Sequence, residues 1–376
     1  MKTNPNLHAC AIIGGGLAGL SLAIQLADAG IQTIVFEKNT YPFHKVCGEY
    51  ISMESWNFLL SLGLPLNDMN LPFIKQLGIT SEKGFMLNAP LDLGGFGISR
   101  YTLDHQLYVL AKSKGVIIVE NCKVSDVVHE DDTSKITTSV GIYTAQIVCG
   151  SYGKYTPAFA KNENTQNKKN INYIGVKYHI KTDFPNNKIE LHNYEGGYCG
   201  ISKVDKEAFC LCYLSTSDKL KQSGNDIKQL EENVLYKNPF LKRIFLESEF
   251  IFEQHLVISN ITFHKKSTYT NGIFLLGDAA GSITPLCGNG MSMGLRASFI
   301  LSQLLISFFS RHANKEHLIQ EYQHAWNNQF NLRIQSGYYL QSLFGKKNTT
   351  HLVLKTLDKL PVATQKIIKL THGTPF

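Results

Sequence analysis

Apolar residues fill Ala9 to Ile13 without a break, recur at helical spacing from Leu17 to Ala29, and fill Thr33 to Phe36 again. The first and last runs read as strands covered on both faces, because neither alternates with polar residues. The middle segment predicts a helix closed by Gly30. Together they form a strand, helix, strand unit with Glu37 at its far end.

Beyond Glu37 the pattern changes repeatedly. Ser52 stands at an N-cap position before a segment whose Trp56, Leu59 and Leu60 share one helix face, and Gly63 ends it. Ile74–Thr80 and Phe85–Leu87 alternate like strands about a turn at Ser81–Gly84, and Gly97–Arg100 is a short extended piece. Thr102 is expected to cap a helix that Gly115 closes, followed by a buried strand at Val116–Val119. Val124–His129 and Ile136–Thr138 flank a turn, and Tyr143–Cys149 returns to the first sheet. Strand-like runs follow at Ile171–Ile180, Lys188–Tyr194, Tyr198–Lys203 and Ala208–Ser215, with helical patterns at Ile227–Tyr236 and Pro239–Leu246. Ile273–Leu276 reads as a last strand of the first sheet, and beyond Gly290 the pattern is almost wholly helical.

The expected fold class is therefore α/β. A doubly wound, discontinuous dinucleotide-binding domain takes residues 1–160 and 268–310, an antiparallel sheet is inserted over 161–267, and 311–376 form a helical region.

Composition changes this picture little. With 376 residues, 43% hydrophobic and 18% charged, the chain has the makeup of a soluble protein of two or three domains. The net charge of +7, from 37 basic against 30 acidic residues, suits an anionic cofactor or a membrane surface. Nucleic acid is a poor partner, because the lysine pairs at 168–169, 265–266 and 346–347 have no aromatic residues interleaved. The eight cysteines form no C-x-x-C pair, which predicts reduced thiols, a cytoplasmic setting and no metal site. The start, MKTNPNLH, lacks a secretory apolar core. The most apolar helix, Gly294 to Phe309, is interrupted by Arg296, Ser298, Ser302 and Gln303, which argues against a membrane span and leaves surface association open.

Candidate chemistry lies in two glycine-rich blocks. Gly14, Gly16 and Gly19 have the G-x-G-x-x-G spacing. The first permits a tight turn, the second lets backbone approach a pyrophosphate, and the third lets helix and strand pack closely, while the helix N-terminus offers free N–H groups. Glu37 stands where an acid accepts from a ribose 2′-hydroxyl, which favours FAD or NAD over NADP at this site. A glycine-rich turn with no ligand is the plainer reading of the same residues. In the second block, Gly272 to Arg296, a buried strand runs into Gly277-Asp278-Ala279-Ala280-Gly281, and then through a proline turn to Gly288, Gly290 and a new helix. Small residues there let a flat ligand lie against the backbone, and Asp278 can accept from ribityl hydroxyls.

These blocks, with Arg100 before Leu103–Asp104 and the run G-D-A-A-G-x-I-x-P-x-x-G-x-G-M, resemble the flavoprotein monooxygenases of the para-hydroxybenzoate hydroxylase type and their relatives the geranylgeranyl reductases. The resemblance spans roughly residues 9 to 310, and Lys45-Val46-Cys47-Gly48-Glu49 is most similar to the reductase branch. It implies a FAD-binding domain of the glutathione-reductase type and makes the inserted sheet the substrate-binding one. It also implies FAD held by Gly14, Gly16 and Gly19 at the pyrophosphate and by Glu37 at the adenosine ribose. Arg100 would reach the ribityl or pyrophosphate region, Asp278 the ribityl chain, and Gly288, Gly290 and Met291 the flavin edge. Ala18, Lys38, Lys45 and Gly277 count among the cofactor-binding positions, and Cys47 and Gly48 are the catalytic candidates bordering the isoalloxazine ring. Read from the residues alone, Arg100 is also open to a surface salt bridge, and Cys47 to inert packing.

Two departures from the family pattern shape the functional expectation. Tyr152 stands where the hydroxylases carry the aspartate of an Asp-Gly pair tied to both FAD and NADPH, and Gly197–Ser202 lacks the proline of an aromatic-x-x-Pro motif. Halogenation is not expected. NADPH or NADH is a possible electron donor, with a separate donor protein as the alternative. The expected reaction is reduction of a carbon–carbon double bond in a small apolar substrate, isoprenoid, polyene or lipid-like. Hydroxylation of an aromatic or polyketide-like compound is the alternative, and a non-catalytic flavin-binding accessory protein the second. Cys287 is expected to face Cys47 across the ring. Tyr173, Tyr178, Tyr194, Tyr198 and Phe209 are open to lining an apolar pocket or to forming core.

Overall fold

The structure is a computed structural model that describes residues 7–161, 171–261, 263, 266–284, 288–311 and 314–376. Strand β1 (Leu7–Ile13) feeds helix α1 (Leu17–Asp28), and Gly30 turns the chain into β2 (Thr33–Phe36), which lies parallel to β1. The continuous apolar run of β1 is explained by its position, with β2 on one side and the strand Gly141–Gly150 on the other, under a buried helix.

Strand β3 (Tyr50–Ser52) is followed by α2 (Trp56–Leu62), β4 (Phe73–Thr80), β5 (Met86–Gly97), α3 (Arg100–Ser113) and β6 (Ile117–Val119). Gly63 ends α2 in the left-handed conformation, as expected. The cap of α3 is corrected: it is Ser99, whose hydroxyl accepts from the Thr102 N–H, so the helix starts at Arg100 and places that side chain in its first turn. The extended piece expected at Gly97–Arg100 hides this cap, because a serine beside an arginine carries no apolar periodicity. Hairpin β7 (Val124–Glu130) and β8 (Thr133–Thr138) lead into β9 (Gly141–Gly150).

A second set of strands, β10 (Tyr173–Lys181), β11 (Lys188–Tyr194), β12 (Gly197–Lys203) and β13 (Phe209–Thr216), is backed by α4 (Ser217–Gln222), α5 (Ile227–Asn233) and α6 (Pro239–Glu247). Short strands β14 (Glu249–Phe250), β15 (Leu256–Ile261), β16 (Tyr269–Thr270) and β17 (Ile273–Leu275) precede the helices α7 (Gly290–Arg311), α8 (Lys315–Leu343), α9 (Lys347–Asp358) and α10 (Pro361–Thr371).

The first sheet runs β16-β17-β9-β1-β2-β6, with β17, β9, β1, β2 and β6 all parallel, so its strand order is that of a doubly wound domain. The second runs β14-β10-β13-β12-β11-β4-β5-β3 and is antiparallel apart from the pair β11 with β4. Its membership corrects the boundary expected at residue 160, because β3, β4 and β5 belong to the second sheet. The alternation along Phe73–Gly97 specifies strands with one covered face, but not which sheet supplies the partner.

The two faces of the second sheet are covered differently. Val176, Tyr194, Phe209, Leu211 and Tyr213 pack against Leu230, Leu241 and Ile244 of α5 and α6. On the opposite face Tyr198, Leu214, Leu191 and Leu87 meet Phe344 and Leu354 from the carboxy-terminal helices. Of the aromatic residues noted in the sequence, Tyr178, Tyr194 and Phe209 therefore form core on the α5–α6 side, and Tyr173 and Tyr198 lie on the other face. Helix α7 is long and apolar enough to cross a membrane by length and composition, yet half of its most apolar window is buried in the protein. A Cβ on Gly294 would sit 3.5 Å from Ala18 and Leu17 of α1, so α7 is packed here as a core helix.

Candidate functional site

The amino-terminal glycines each show a separate physical need. Gly14 has φ +101° and a Cβ there would lie 2.5 Å from the Ser151 carbonyl oxygen, so the turn is closed to other residues. A Cβ on Gly19 would be driven into the Gly14 carbonyl oxygen and would crowd Ile12, which is the close helix–strand approach expected of the third glycine. Gly16 is different. Its Cβ would meet only Lys45 Nζ at 3.4 Å and Arg100 Nη2 at 3.7 Å, so what its missing side chain leaves room for is bounded by two cations.

Helix α1 begins at this point with no capping side chain and no acid in its first turn. Its first N–H groups and partial positive charge are thus left for an anion. Arg100 holds Asp104 through Nε at 2.8 Å and Nη2 at 2.7 Å, and Lys45 Nζ lies 3.1 Å from the same carboxylate. Burial works against ionisation of Asp104, but the guanidinium and the ammonium outweigh it and hold the carboxyl below its ordinary range. Two cations against one anion leave a net positive site beside an uncapped helix. A pyrophosphate fits that set of groups. Arg100 makes a salt bridge, though a largely buried one and not on the surface, and its guanidinium stands beside the Gly16 turn.

Glu37 is buried and accepts from the Gly15 N–H at 2.9 Å, and from the backbone and side-chain N–H groups of Asn39 at 3.0 and 2.8 Å. It therefore stands at the end of β2 beside the glycine turn. Lys38 is exposed next to it. Tyr41, which sequence reasoning passed over, lies over the turn with its hydroxyl donating to the Gly15 carbonyl.

The second block meets the first. Gly277 has φ +61°, and a Cβ there would lie 3.5 Å from that of Ala18, while Gly294 of α7 approaches both. Small residues at Ala18, Gly277 and Gly294 thus draw two motifs far apart in sequence into one cradle. The Asp278 carbonyl accepts from Lys266 Nζ at 3.2 Å. Gly288 has φ +64° and leans on the ring of Tyr50, whose buried hydroxyl has no hydrogen-bond partner among the described residues. Met291, in the first turn of α7, lies 3.6 Å from the Cys47 thiol, Sδ to Sγ. Gly48 next to it is exposed with open space around its Cα. Cys287, expected to face Cys47, lies outside the described residues.

Behind Cys47 the loop is anchored by a residue that the motif contained but sequence reasoning gave no task. Glu49 is fully buried with φ +56°, accepts from the Arg100 N–H at 2.7 Å, pairs with His179 Nε2 at 2.6 Å, and receives the Lys177 ammonium. Burial opposes its charge, but His179 and Lys177 hold its carboxyl below the ordinary range. Lys177 also donates to the Lys45 carbonyl at 3.1 Å, and Cys210 Sγ to the Cys47 carbonyl at 3.2 Å. Strands β10 and β13 of the second sheet thereby hold the loop from below. Glu49, His179 and Cys210 offer three ligand atoms within 4.8 Å of one another. The Lys177 ammonium pairs with the same Glu49 carboxylate. A cavity of about 230 Å³ adjoins this cluster, walled by His44, Lys177, Tyr178, His179, Phe252, Gln254 and Leu256. Tyr152, at the position of the expected departure, is tucked over Gly150 with its hydroxyl buried and unpartnered among the described residues.

Comparisons with known proteins agree with this geometry. Residues 7–94 match the FAD binding domain family, and residues 200–335 match the squalene epoxidase family. Conditioned medium factor receptor 1 of Dictyostelium discoideum is 24% identical over 372 residues, an alignment that covers 86% of this chain and 68% of that protein. The fold is shared with the flavin-dependent brominase Bmp2, at a TM-score of 0.80 and 16% identity, covering 97% of this chain and 93% of that one. It is shared likewise with a geranylgeranyl bacteriochlorophyll reductase-like protein of Thermoplasma acidophilum, at a TM-score of 0.77 and 17% identity, covering 98% and 93%. The FAD binding domain match falls on the very strand, helix, strand unit that carries the three glycines, and the whole chain shares its fold with flavin-dependent and reductase-like proteins.

Proposed function

We propose that the chain reduces a carbon–carbon double bond of an apolar isoprenoid, polyene or lipid-like substrate. The observation that carries this reading is the placement of the KVCGE loop, with the Cys47 thiol against Met291 on one side and the front face of the second sheet on the other. FAD supplies the hydride in such chemistry when bound. The chain's own part is to grip the dinucleotide through the α1 N-terminus, Lys45 and Arg100, and to keep water from the reacting carbons. Tyr198, Leu214 and Leu191 on the sheet, closed over by Phe344 and Leu354, supply an apolar wall for that purpose. Saturating a double bond also needs a proton. We assign its delivery to Tyr50, whose orphaned hydroxyl stands between the sheet and Gly288.

NADPH or NADH serves as reductant in this proposal, with a separate donor protein as the alternative suggested by Tyr152. A reducing, cytoplasmic setting is consistent with seven described cysteines, all unpaired. The match of residues 200–335 to squalene epoxidase favours a second reading, oxygenation of an apolar substrate. One experiment separates the two. The flavin is reduced photochemically without oxygen and mixed with a polyprenyl substrate. Anaerobic reoxidation with a product heavier by two hydrogens supports reduction. Reoxidation that requires oxygen, with a product heavier by one oxygen atom, overturns it in favour of oxygenation.

A further inference from the structure

The outer faces of α9 and α10 carry a pattern that the active-site region does not use. Both helices pack on β5 of the second sheet, α9 burying Thr350 and Leu354 and α10 burying Thr364 and Thr371, so their opposite faces point away from the same sheet. On those outward faces Leu352 is 68% exposed, Val362 69% and Leu370 44%, and Leu360, in the connection between the two helices, is 51% exposed. Leu352, Lys355 and Lys359 follow one another at helical spacing, and so do Val362, Lys366, Lys369 and Leu370, so each face mixes leucine or valine with lysine. Single exposed apolar residues are ordinary on a protein surface. Three on the outer side of two adjacent helices, with a fourth in the turn that joins them, are not.

Charge selects the occupant. Residues 344–376 contain six lysines and a single acid, Asp358. Lys347 pairs with Glu82 and Lys369 with Asp92, while Lys346, Lys355, Lys359 and Lys366 are exposed and form no ion pair among the described residues. A second copy of this chain would bring the same positive face against itself. Protein interfaces are depleted in lysine at their centres, whereas an amphipathic helix on a bilayer seats its apolar side chains among the acyl chains and lets lysine reach the headgroups.

We infer that the α9–α10 face docks on an anionic lipid surface through Leu352, Leu360, Val362 and Leu370, with Lys355, Lys359 and Lys366 at the phosphate headgroups. The inner faces of the same helices cover the apolar front of the second sheet, so docking sets the proposed substrate wall directly beneath the membrane. That last link rests on the reading of an apolar substrate. Docking itself does not.

The test is sedimentation of the purified flavin-loaded chain with phosphatidylcholine vesicles with or without phosphatidylglycerol, in the absence of any substrate. Wild type is expected to pellet with the anionic vesicles, less so at high salt, and to stay in solution with the neutral ones. Lys355→Glu/Lys359→Glu/Lys366→Glu and, separately, Leu352→Ser/Val362→Ser are each expected to lower the partition coefficient at least tenfold while bound-flavin absorbance is retained. These positions are exposed, so the flavin spectrum reports that each variant is folded. No binding of wild type to anionic vesicles overturns the proposal, as does equal binding of wild type and the charge variant. So does sedimentation velocity showing a dimer that Leu352→Ser/Val362→Ser dissolves. Vesicle binding without reductase turnover would fail only the substrate reading.

Discussion

The thiol of Cys47 and the thioether of Met291 touch across 244 residues of sequence, at 3.6 Å. One belongs to a loop held down by the second sheet, the other to the first turn of a helix packed on the dinucleotide domain. Their meeting closes the gap between the two layers at the level where the resemblance puts the edge of the flavin ring.

The first prediction concerns that meeting point. Cys47→Ser is expected to keep the flavin bound, to shift its visible absorption maxima and to lower turnover. Tyr50→Phe is expected to lower turnover by at least about a hundredfold, the lower range of what a positioned proton-transfer group contributes, with the spectrum unchanged. A Cys47→Ser spectrum identical to wild type would place the thiol away from the ring.

The glycines separate binding from folding. Gly16→Ala adds a methyl group that meets only the ends of Lys45 and Arg100, so the apoprotein is expected to melt near the wild-type temperature but to purify without flavin. Gly19→Ala drives its methyl group into backbone and is expected to lose both flavin and stability, by about 1–3 kcal/mol. Thermal melts with flavin quantification distinguish them. Stoichiometric flavin in Gly16→Ala would remove the pyrophosphate assignment.

Glu49 tests the anchor. Replacing it with Gln leaves the Lys177 ammonium buried without its counter-charge, and about 3–5 kcal/mol of stability is expected to go. Glu49→Gln/Lys177→Met removes both charges and is expected to recover most of that loss in denaturant melts. Failure of the double variant to recover would mean that the Arg100 N–H and His179 contacts, not the ion pair, hold the loop.

Glu231 gives a dependence on pH. Burial behind the second sheet pushes its carboxyl up to about 7, although the hydroxyls of Tyr178 and Tyr213 donate to it and pull the other way. The folded chain thus keeps this proton to higher pH than the unfolded chain, whose carboxyl titrates near 4.5. Stability falls as pH rises between these values and stays low above them. Glu231→Gln, which still accepts from both tyrosines, is expected to melt higher than wild type at pH 8, by on the order of 2–3 kcal/mol, and to lose the advantage near pH 5. Parallel melts at the two pH values check the sign.

Much of the dinucleotide unit was legible because its signals are local. The spacing of Gly14, Gly16 and Gly19, the apolar runs on either side and Glu37 all lie within one strand, helix, strand unit. The second sheet was legible as strands but not in its membership, since the alternation of Phe73–Gly97 says nothing of β11, over a hundred residues away, as its partner. Ser99 was missed as a cap because Thr102, a residue type equally suited to that place, lay nearby. The task of Glu49 could not be read at all. Its partners Lys177 and His179 are two positions apart on a strand that appears in the sequence as core with charged interruptions. Lysine and histidine on one face of a buried strand, with a glutamate in a distant loop, were the only available signal.

The nucleotide cradle is assembled from pieces made at very different times. The glycine turn and Glu37 are complete by residue 37, yet β9, the neighbour of β1, ends at Gly150, and Gly277 and α7 come after residue 272. Asn289, within the second glycine block, donates to the carbonyl of Thr371 at the end of α10. The amino-terminal unit therefore carries the recognisable fingerprint but only part of the cradle, whose other walls come from β9, Gly277 and α7.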